Sequence, residues 1–229
     1  MNSKPIALFV FEGEKQEKKY LNAFLEALSI DINRIEVAFC THIYTLYDKL
    51  KNSEGLDTFD LLEEEHVALD SQDYDRDDIA RIYLFFDYDG HAPEANDEVI
   101  QKMLEIFDNE TEQGKLYISY PMLEALRDTE NLVFKIKDGG EYKQNVGNAG
   151  IQNITRLNEQ KFKDLTLNHL RKANDLVNNN PEIPKQLIEQ SDIFGAQLTK
   201  HIKPKKEVAV LSALPLFYLD YKGAKNLQL

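Results

Sequence analysis

The chain has 229 residues, of which 42% are hydrophobic and 29% are charged, a composition typical of a globular protein that buries a sizeable core. Its apolar runs are far shorter than the roughly 18 residues that a membrane span needs, and no signal-peptide pattern is recognisable. A single cysteine, Cys40, excludes an intrachain disulfide and a cysteine-based metal cluster. We therefore expect a cytoplasmic protein with no membrane partner.

The net charge of −13 is unevenly distributed along the chain. Residues 1–130 hold 12 Lys and Arg against 30 Asp and Glu, a net of −18, whereas residues 131–229 hold 15 against 10, a net of +5. A uniformly acidic protein binds nucleic acid poorly because the phosphates repel it. An acidic part joined to a mildly basic part is compatible with a phosphate-rich substrate, without requiring one.

Strand and helix patterns alternate over the first 127 residues. Apolar runs rich in aromatic and branched residues predict strands, and apolar residues three and four positions apart predict amphipathic helices. This alternation predicts an α/β fold with a mostly parallel, Rossmann-like sheet flanked by helices. In chain order, the predicted elements are a strand at Lys4–Phe11, a helix at Glu14–Leu28, a strand at Arg34–Cys40, a helix at Ile43–Lys51, a strand at Ile82–Phe86, a helix from Pro93 to about Phe107, a strand at Leu116–Ser119 and a short helical segment from about Pro121 to Leu126.

An acid-rich segment, residues 54–78, interrupts this alternation. It holds 11 acidic residues and one arginine. A calcium loop of the EF-hand type would need a glycine at its sixth position and a glutamate at its twelfth, and the segment lacks that pattern. We therefore expect a solvated insertion within a domain that spans residues 1–127.

Residues 128–229 follow a different pattern. A stretch rich in glycine and asparagine, Asp138–Gly150, is typical of a long loop. Helical periodicity then predicts helices at Phe162–Val177 and Ile183–His201, whereas the apolar segment Val208–Tyr221 fits more than one type of element. We expect this part to be a mainly helical extension that packs on the α/β core.

Acidic residues directly follow two of the predicted strands. The first strand ends at Glu12, and the third ends at Asp87 and Asp89. Open parallel sheets place their chemistry beyond the carboxyl ends of their strands. Carboxylates brought together there repel one another unless a cation lies between them, and Mg²⁺ takes such oxygen ligands while leaving positions for a phosphate. The pattern therefore predicts a metal-dependent phosphoryl-transfer site, in which Glu12 is a second ligand or a general acid/base.

Three motifs in this order resemble the Toprim domain, the fold shared by topoisomerases, primases, OLD-type nucleases and several bacterial defence nucleases. They are Glu12-Gly-Glu-Lys-Gln-Glu17 with Tyr20 behind it, Asp87-x-Asp89, and Ser119-Tyr-Pro-Met-Leu-Glu124. The first and third motifs are similar to those of the RloB-like branch, in which threonine is usual at the position of Gln16. The resemblance covers about residues 4–127.

This resemblance implies a Toprim-like sheet and a nuclease that depends on Mg²⁺ or Mn²⁺ and acts in bacterial anti-phage defence. It implies that Glu12, Asp87 and Asp89 carry catalysis and bind the metal, with Glu17 and Glu124 as further ligands. Whether DNA or RNA is cut, whether a partner ATPase is required and which oligomer forms all stay open.

The basic part of the chain offers a contact for nucleic acid. Lys200, Lys203, Lys205 and Lys206 cluster near its end. Because the core is acidic, a nucleic-acid strand needs positive charge from elsewhere to approach the metal site, so we expect these lysines to contact its phosphates. The alternative is a solvated basic face.

Two other functions fit the same acidic residues. The segment Phe85-Phe-Asp87-Tyr-Asp89-Gly90 also resembles the first motif of haloacid-dehalogenase-type phosphatases, in which the first aspartate is the nucleophile, and Ser119 resembles their second motif. However, that first motif normally opens its domain, and the downstream lysine and acidic pair are not found in clear form. The remaining hypothesis is a Toprim-like module that binds or regulates a partner without catalysis.

Overall fold

The computed structural model describes residues 5–13, 15–32, 35–39, 43–53, 55–64, 74–88, 96–128, 133–136, 142, 146, 151 and 153–227. Its centre is a five-stranded sheet in the order β2-β1-β3-β5-β4. Neighbours among β2, β1, β3 and β5 run parallel, and β4 runs antiparallel to β5. The strands are β1 (Ile6–Phe11), β2 (Ile35–Phe39), β3 (Ile79–Asp87), β4 (Asp108–Asn109) and β5 (Gly114–Ser119). The predicted α/β class with a mostly parallel sheet is confirmed.

Helices flank this sheet, and a short second sheet lies beside it. The second sheet pairs β6 (Val133–Lys135) with β7 (Glu207–Ala209) in antiparallel orientation. The helices are α1 (Lys15–Ala27), α2 (Ile43–Asn52), α3 (Thr58–Glu64), α4 (Asp97–Ile106), α5 (Glu159–Asn178), α6 (Gln190–Gln197) and α7 (Ala213–Lys222). Helix α6 continues directly into a π-helical turn, Leu198–Ile202.

Helix α7 packs on one face of the sheet through Phe217. The ring of Phe217 lies edge-on to alternate aromatic residues of β1 and β3, with centroids 5.5 Å from Phe9 and 4.9 Å from Tyr83. Alternate residues of a strand point to the same face, so these rings form one continuous apolar surface. At the start of the helix, the Ala213 amide donates to Ser119 Oγ at 3.4 Å. The first turn of α7 therefore lies at the carboxyl end of β5.

Several element boundaries differ from those that the sequence predicts. Strand β3 is longer and includes Asp87 as its last residue. Helix α4 begins at Asp97, because the side chain of Asn96 caps it by accepting from the Glu98 amide at 2.8 Å. Helix α6 begins at Gln190 rather than Ile183, since the residue before a proline, here Pro184, is disfavoured in a helix. Five ends of the predicted helices and strands lie outside the described residues: Lys4, Glu14, Arg34, Cys40 and Pro93.

The structure also describes a segment whose element type the sequence left open, and part of the acid-rich segment. Val208–Tyr221 contains both strand β7 and helix α7. The described part of residues 54–78 combines exposed acids, such as Glu63 and Asp77, with a helix whose apolar side chains are buried. Helix α3 buries Phe59, Leu61 and Leu62 in the core. The free energy gained by burying these apolar side chains exceeds the preference of the neighbouring acids for solvent. Of the predicted loop 138–150, the described residues are 142 and 146.

Candidate metal and phosphate site

The strand register brings the ends of β1, β3 and β5 to one edge of the sheet. Phe11 at the end of β1 pairs with Phe85 in β3, and Asp87 at the end of β3 pairs with Ser119 at the end of β5. Glu12 follows β1 directly and therefore lies beside the end of β3. A small cavity opens at this edge. It is lined by Phe11, Glu12, Glu17, Phe85, Asp87, Ser119, Leu123, Ala213 and Leu214.

Glu17 reaches this cavity from the first turn of helix α1. Its carboxylate packs directly against Gly13, where a Cβ atom would overlap it. A glycine at position 13 therefore leaves room for the Glu17 carboxylate to fold back over the strand end. Asp89 and Glu14, which belong to the same motifs, lie outside the described residues.

Asp87 has a strongly perturbed carboxyl group. Burial raises the pKa of its carboxyl group well above the usual range, and the charges of Glu12, Glu124 and Glu17 raise the pKa further, in that order. The Leu123 amide opposes this shift by donating a hydrogen bond to the carboxylate. Asp87 is therefore held among three other acids, which disfavours its negative charge in the absence of a cation.

Glu124 joins the site from the segment that follows β5. In this segment, Tyr120 forms two backbone hydrogen bonds with Leu211, which belongs to the basic part of the chain. The Tyr120 amide donates to Leu211 O at 2.8 Å, and the Tyr120 carbonyl accepts from the Leu211 amide at 2.9 Å. The chain then forms a 3₁₀ helix, Leu123–Arg127. Glu124 is only 3% exposed in this helix, and its charge acts on both Asp87 and Tyr20.

Two further groups lie close to these acids, and sequence reasoning missed both roles. The charge of Arg127 lowers the pKa of the Tyr20 hydroxyl, and the charges of Glu124 and Glu17 raise that pKa. Arg127 is three residues beyond Glu124 in the same helical turn, a spacing that predicts neighbouring side chains. This spacing could have revealed the arginine from the sequence. The position of Tyr20 near Glu124 and Arg127 depends on the tertiary packing of α1, which local sequence does not show.

The first turn of α7 faces the same cavity, with Ala213 and Leu214 in its wall. A helix N-terminus carries a partial positive charge, which favours nearby carboxylates. The helix start is fixed by His169 of α5, whose Nδ1 accepts from the Ser212 amide at 3.3 Å and whose Nε2 donates to Leu126 O at 3.2 Å. Burial lowers the pKa of His169 to about 3, and Lys172 adds to that shift, so the ring stays neutral and can both donate and accept.

The donor chemistry of this site fits Mg²⁺ or Mn²⁺. Hard divalent ions prefer carboxylate oxygens, and Asp87 lies among acids that disfavour its charge. Within the part of the chain that the structure describes, no group of three or more His, Cys, Asp or Glu side chains is arranged to hold one ion. The described geometry therefore gathers Glu12, Glu17, Asp87 and Glu124 around one region without closing them into a complete ligand set.

The late lysines differ from one another in their contacts. Lys200 is engaged within the protein: its Nζ donates to Leu176 O at 2.5 Å and to Asn179 Oδ1 at 2.8 Å, at the end of α5. Lys205 lies 3.4 Å from Glu207 Oε1. Lys203, Lys205 and Lys206 are exposed. Three of the four predicted nucleic-acid contacts are thus open to solvent, and the fourth holds a helix end.

The fold is a Rossmann-like α/β fold, with acidic residues beyond the carboxyl ends of neighbouring parallel strands. No family model, no curated protein and no solved structure matches the chain. Among the described residues, no helix combines the length and the apolar character that crossing a bilayer requires.

Proposed function

We propose that this chain is a Toprim-like nuclease that cleaves phosphodiester bonds of DNA or RNA with Mg²⁺ or Mn²⁺. The observation that carries the proposal is the position of Asp87, which lies at the end of β3 among Glu12, Glu17 and Glu124. A structural role would favour a lysine or arginine beside this carboxylate, whereas the three strongest charge effects on it come from acids. The motif resemblance adds the biological setting of bacterial anti-phage defence.

The residues divide into three roles in this proposal. Asp87, with Asp89 and Glu124, binds the cation, and Glu12 serves as a further ligand or as the base that accepts a proton from the attacking water. A bound divalent ion would neutralise the developing charge on the phosphate oxygens. The first turn of α7, which faces the cavity, carries the partial positive charge of a helix N-terminus and would attract an anionic oxygen. The exposed lysines Lys203, Lys205 and Lys206 guide the nucleic-acid backbone towards the site.

The direct test is cleavage of single-stranded DNA, duplex DNA and RNA with Mg²⁺ or Mn²⁺. We expect Asp87→Asn to lower the cleavage rate by about 100-fold or more, because the substitution removes a ligand of an ion that contributes several kcal/mol to transition-state stabilisation. The matched control is Asp175→Asn, which removes an exposed carboxylate of helix α5. It should keep the wild-type rate.

Two other results would replace the proposal with another function. Binding of beryllofluoride at Asp87, with hydrolysis of phosphomonoesters, would indicate the phosphatase. A wild-type protein that neither cleaves nor binds any of these nucleic acids would indicate a regulatory module. Equal cleavage rates for wild type and Asp87→Asn would show that the acidic site is not the nuclease site.

A further inference from the structure

The hydroxyl group of Tyr20 is buried at the acidic site without a hydrogen bond. Tyr20 lies on the buried face of helix α1 and is 3% exposed. Among the described residues, its hydroxyl oxygen has no hydrogen-bond partner. Leaving a buried hydroxyl unsatisfied costs roughly 1–3 kcal/mol, so native structures seldom do this without a reason.

The surroundings of this hydroxyl are charged rather than apolar. Arg127, Glu124 and Glu17 all act on it, in that order of strength after burial itself. Burial and the two acids together raise the pKa of Tyr20, so the group keeps its proton and remains a donor. A hydrogen-bond donor thus lies close to two carboxylates that are good acceptors.

Two other buried tyrosines that lie beside acids, Tyr117 and Tyr142, do form such bonds. The hydroxyl of Tyr117 donates to Asp220 at 2.8 Å, and that of Tyr142 donates to Asp128 at 2.8 Å. In both places the acid belongs to the folded framework. Tyr20 differs because its acidic neighbours belong to the candidate metal site, where a hydrogen bond from a second residue would orient a carboxylate that binds the cation.

We propose that Tyr20 is a positioning residue of the acidic site, whose hydroxyl donates a hydrogen bond to the Glu124 carboxylate when a divalent cation is bound. This inference rests on the proposed metal-dependent function and adds a residue that acts through Glu124. The hydrogen bond fixes one oxygen of that carboxylate and leaves the other free to bind the ion. In the cation-free protein, the hydroxyl is left without its acceptor.

The experiment compares wild type, Tyr20→Phe and the matched control Thr166→Val. Thr166 is also fully buried with an unsatisfied hydroxyl, but it lies on helix α5 and no described interaction joins it to the acids. Calorimetric titration with Mn²⁺ alone gives the metal affinity, and thermal unfolding in chelator gives the stability. Cleavage of the nucleic acid that wild type prefers separates kcat from KM.

We expect both variants to be at least as stable as wild type in chelator, because each loses an unsatisfied buried group. Tyr20→Phe should bind Mn²⁺ about 10- to 100-fold more weakly, the effect typical of losing a group that orients a metal ligand. Its kcat should fall while KM stays within about threefold, since the lost bond acts through the metal ligand and not on substrate binding. Thr166→Val should match wild type in affinity and kcat.

Each other outcome has a definite meaning. If Tyr20→Phe binds Mn²⁺ as wild type does, the role of Tyr20 is overturned while the metal site stands. If wild type itself does not bind Mn²⁺, the metal-dependent function and this inference fall together. If Tyr20→Phe is less stable than wild type in chelator, a double-mutant cycle with Glu124→Gln, measured on the free energy of Mn²⁺ binding, decides. Strong coupling supports the contact with Glu124, and additive effects exclude it.

Discussion

The carboxylates at the two ends of helix α7 have opposite surroundings: one is paired with a lysine, and the other lies among acids. At its C-terminal end, Asp220 pairs with Lys115 at 2.6 Å and accepts a hydrogen bond from Tyr117 at 2.8 Å. Burial alone lowers the pKa of Lys115, but Asp220, with Glu189 and Glu110, outweighs burial and the pKa is raised overall. At its N-terminal end, the first turn faces Asp87, whose pKa is raised by burial and by three acids.

This difference separates a structural charge from a functional one. A buried carboxylate that only supports the fold is stabilised by a cation of the same chain, as Asp220 is by Lys115. Asp87 instead lies among acids, an arrangement that disfavours its charge in the isolated protein and that a bound external cation would stabilise. The two ends of α7 can therefore be perturbed separately, with different expected effects on stability and binding.

Protonation of His169, which holds the start of α7, should lower the free energy of unfolding. The pKa of His169 is about 3 in the folded protein and about 6.5 in the unfolded chain, so the unfolded state binds more protons. The contribution of neutral His169 to the free energy of unfolding is complete above pH 6.5. It is lost as the pH falls towards 3, by up to about 5 kcal/mol. Urea unfolding of wild type and His169→Gln between pH 4 and 8 measures this. Parallel pH profiles would contradict it.

The C-terminal end of α7 should depend on its ion pair. We expect Asp220→Asn to lower the free energy of unfolding by about 3 kcal/mol, because it leaves the largely buried Lys115 without its closest acid. Denaturant unfolding near pH 7 measures the change, and Asp175→Asn again provides an exposed control. A loss below about 0.5 kcal/mol would show that this end of the helix is not held by charge.

Nucleic acid that binds near the acidic site at the start of α7 should also need positive charge from other parts of the chain. Changing Lys203 and Lys205 to Ala and Lys206 to Asn, which tolerates its φ of 56°, removes three exposed cations. The log–log salt slope of binding should fall by roughly 2–3, since each lost phosphate contact removes about 0.7–0.9. Lys200→Ala should chiefly affect stability instead. An unchanged slope in the triple variant would move the nucleic acid to another surface.

The central strands of the sheet could be predicted from the sequence because the residue patterns that define them are local. The apolar runs that form β1 and β3 predicted parallel strands, and the acids that follow them pointed to the sheet edge where the structure places Glu12 and Asp87. The element type of Val208–Tyr221 stayed open because a helix that is apolar on most sides has no amphipathic period. Lys115 and Asp220 are distant in sequence, so their pairing depends on packing alone.

The most direct test of the account is thermal unfolding of wild type and Asp87→Asn, in chelator and in Mn²⁺. In chelator, Asp87→Asn should be the more stable protein, by roughly 0.5–2 kcal/mol, because it relieves repulsion among the acids. Mn²⁺ at about 100 times its Kd should stabilise wild type by about 2.7 kcal/mol and the variant far less. If the variant is no more stable in chelator and both proteins respond equally to Mn²⁺, Asp87 is not a metal ligand and the site assignment is wrong.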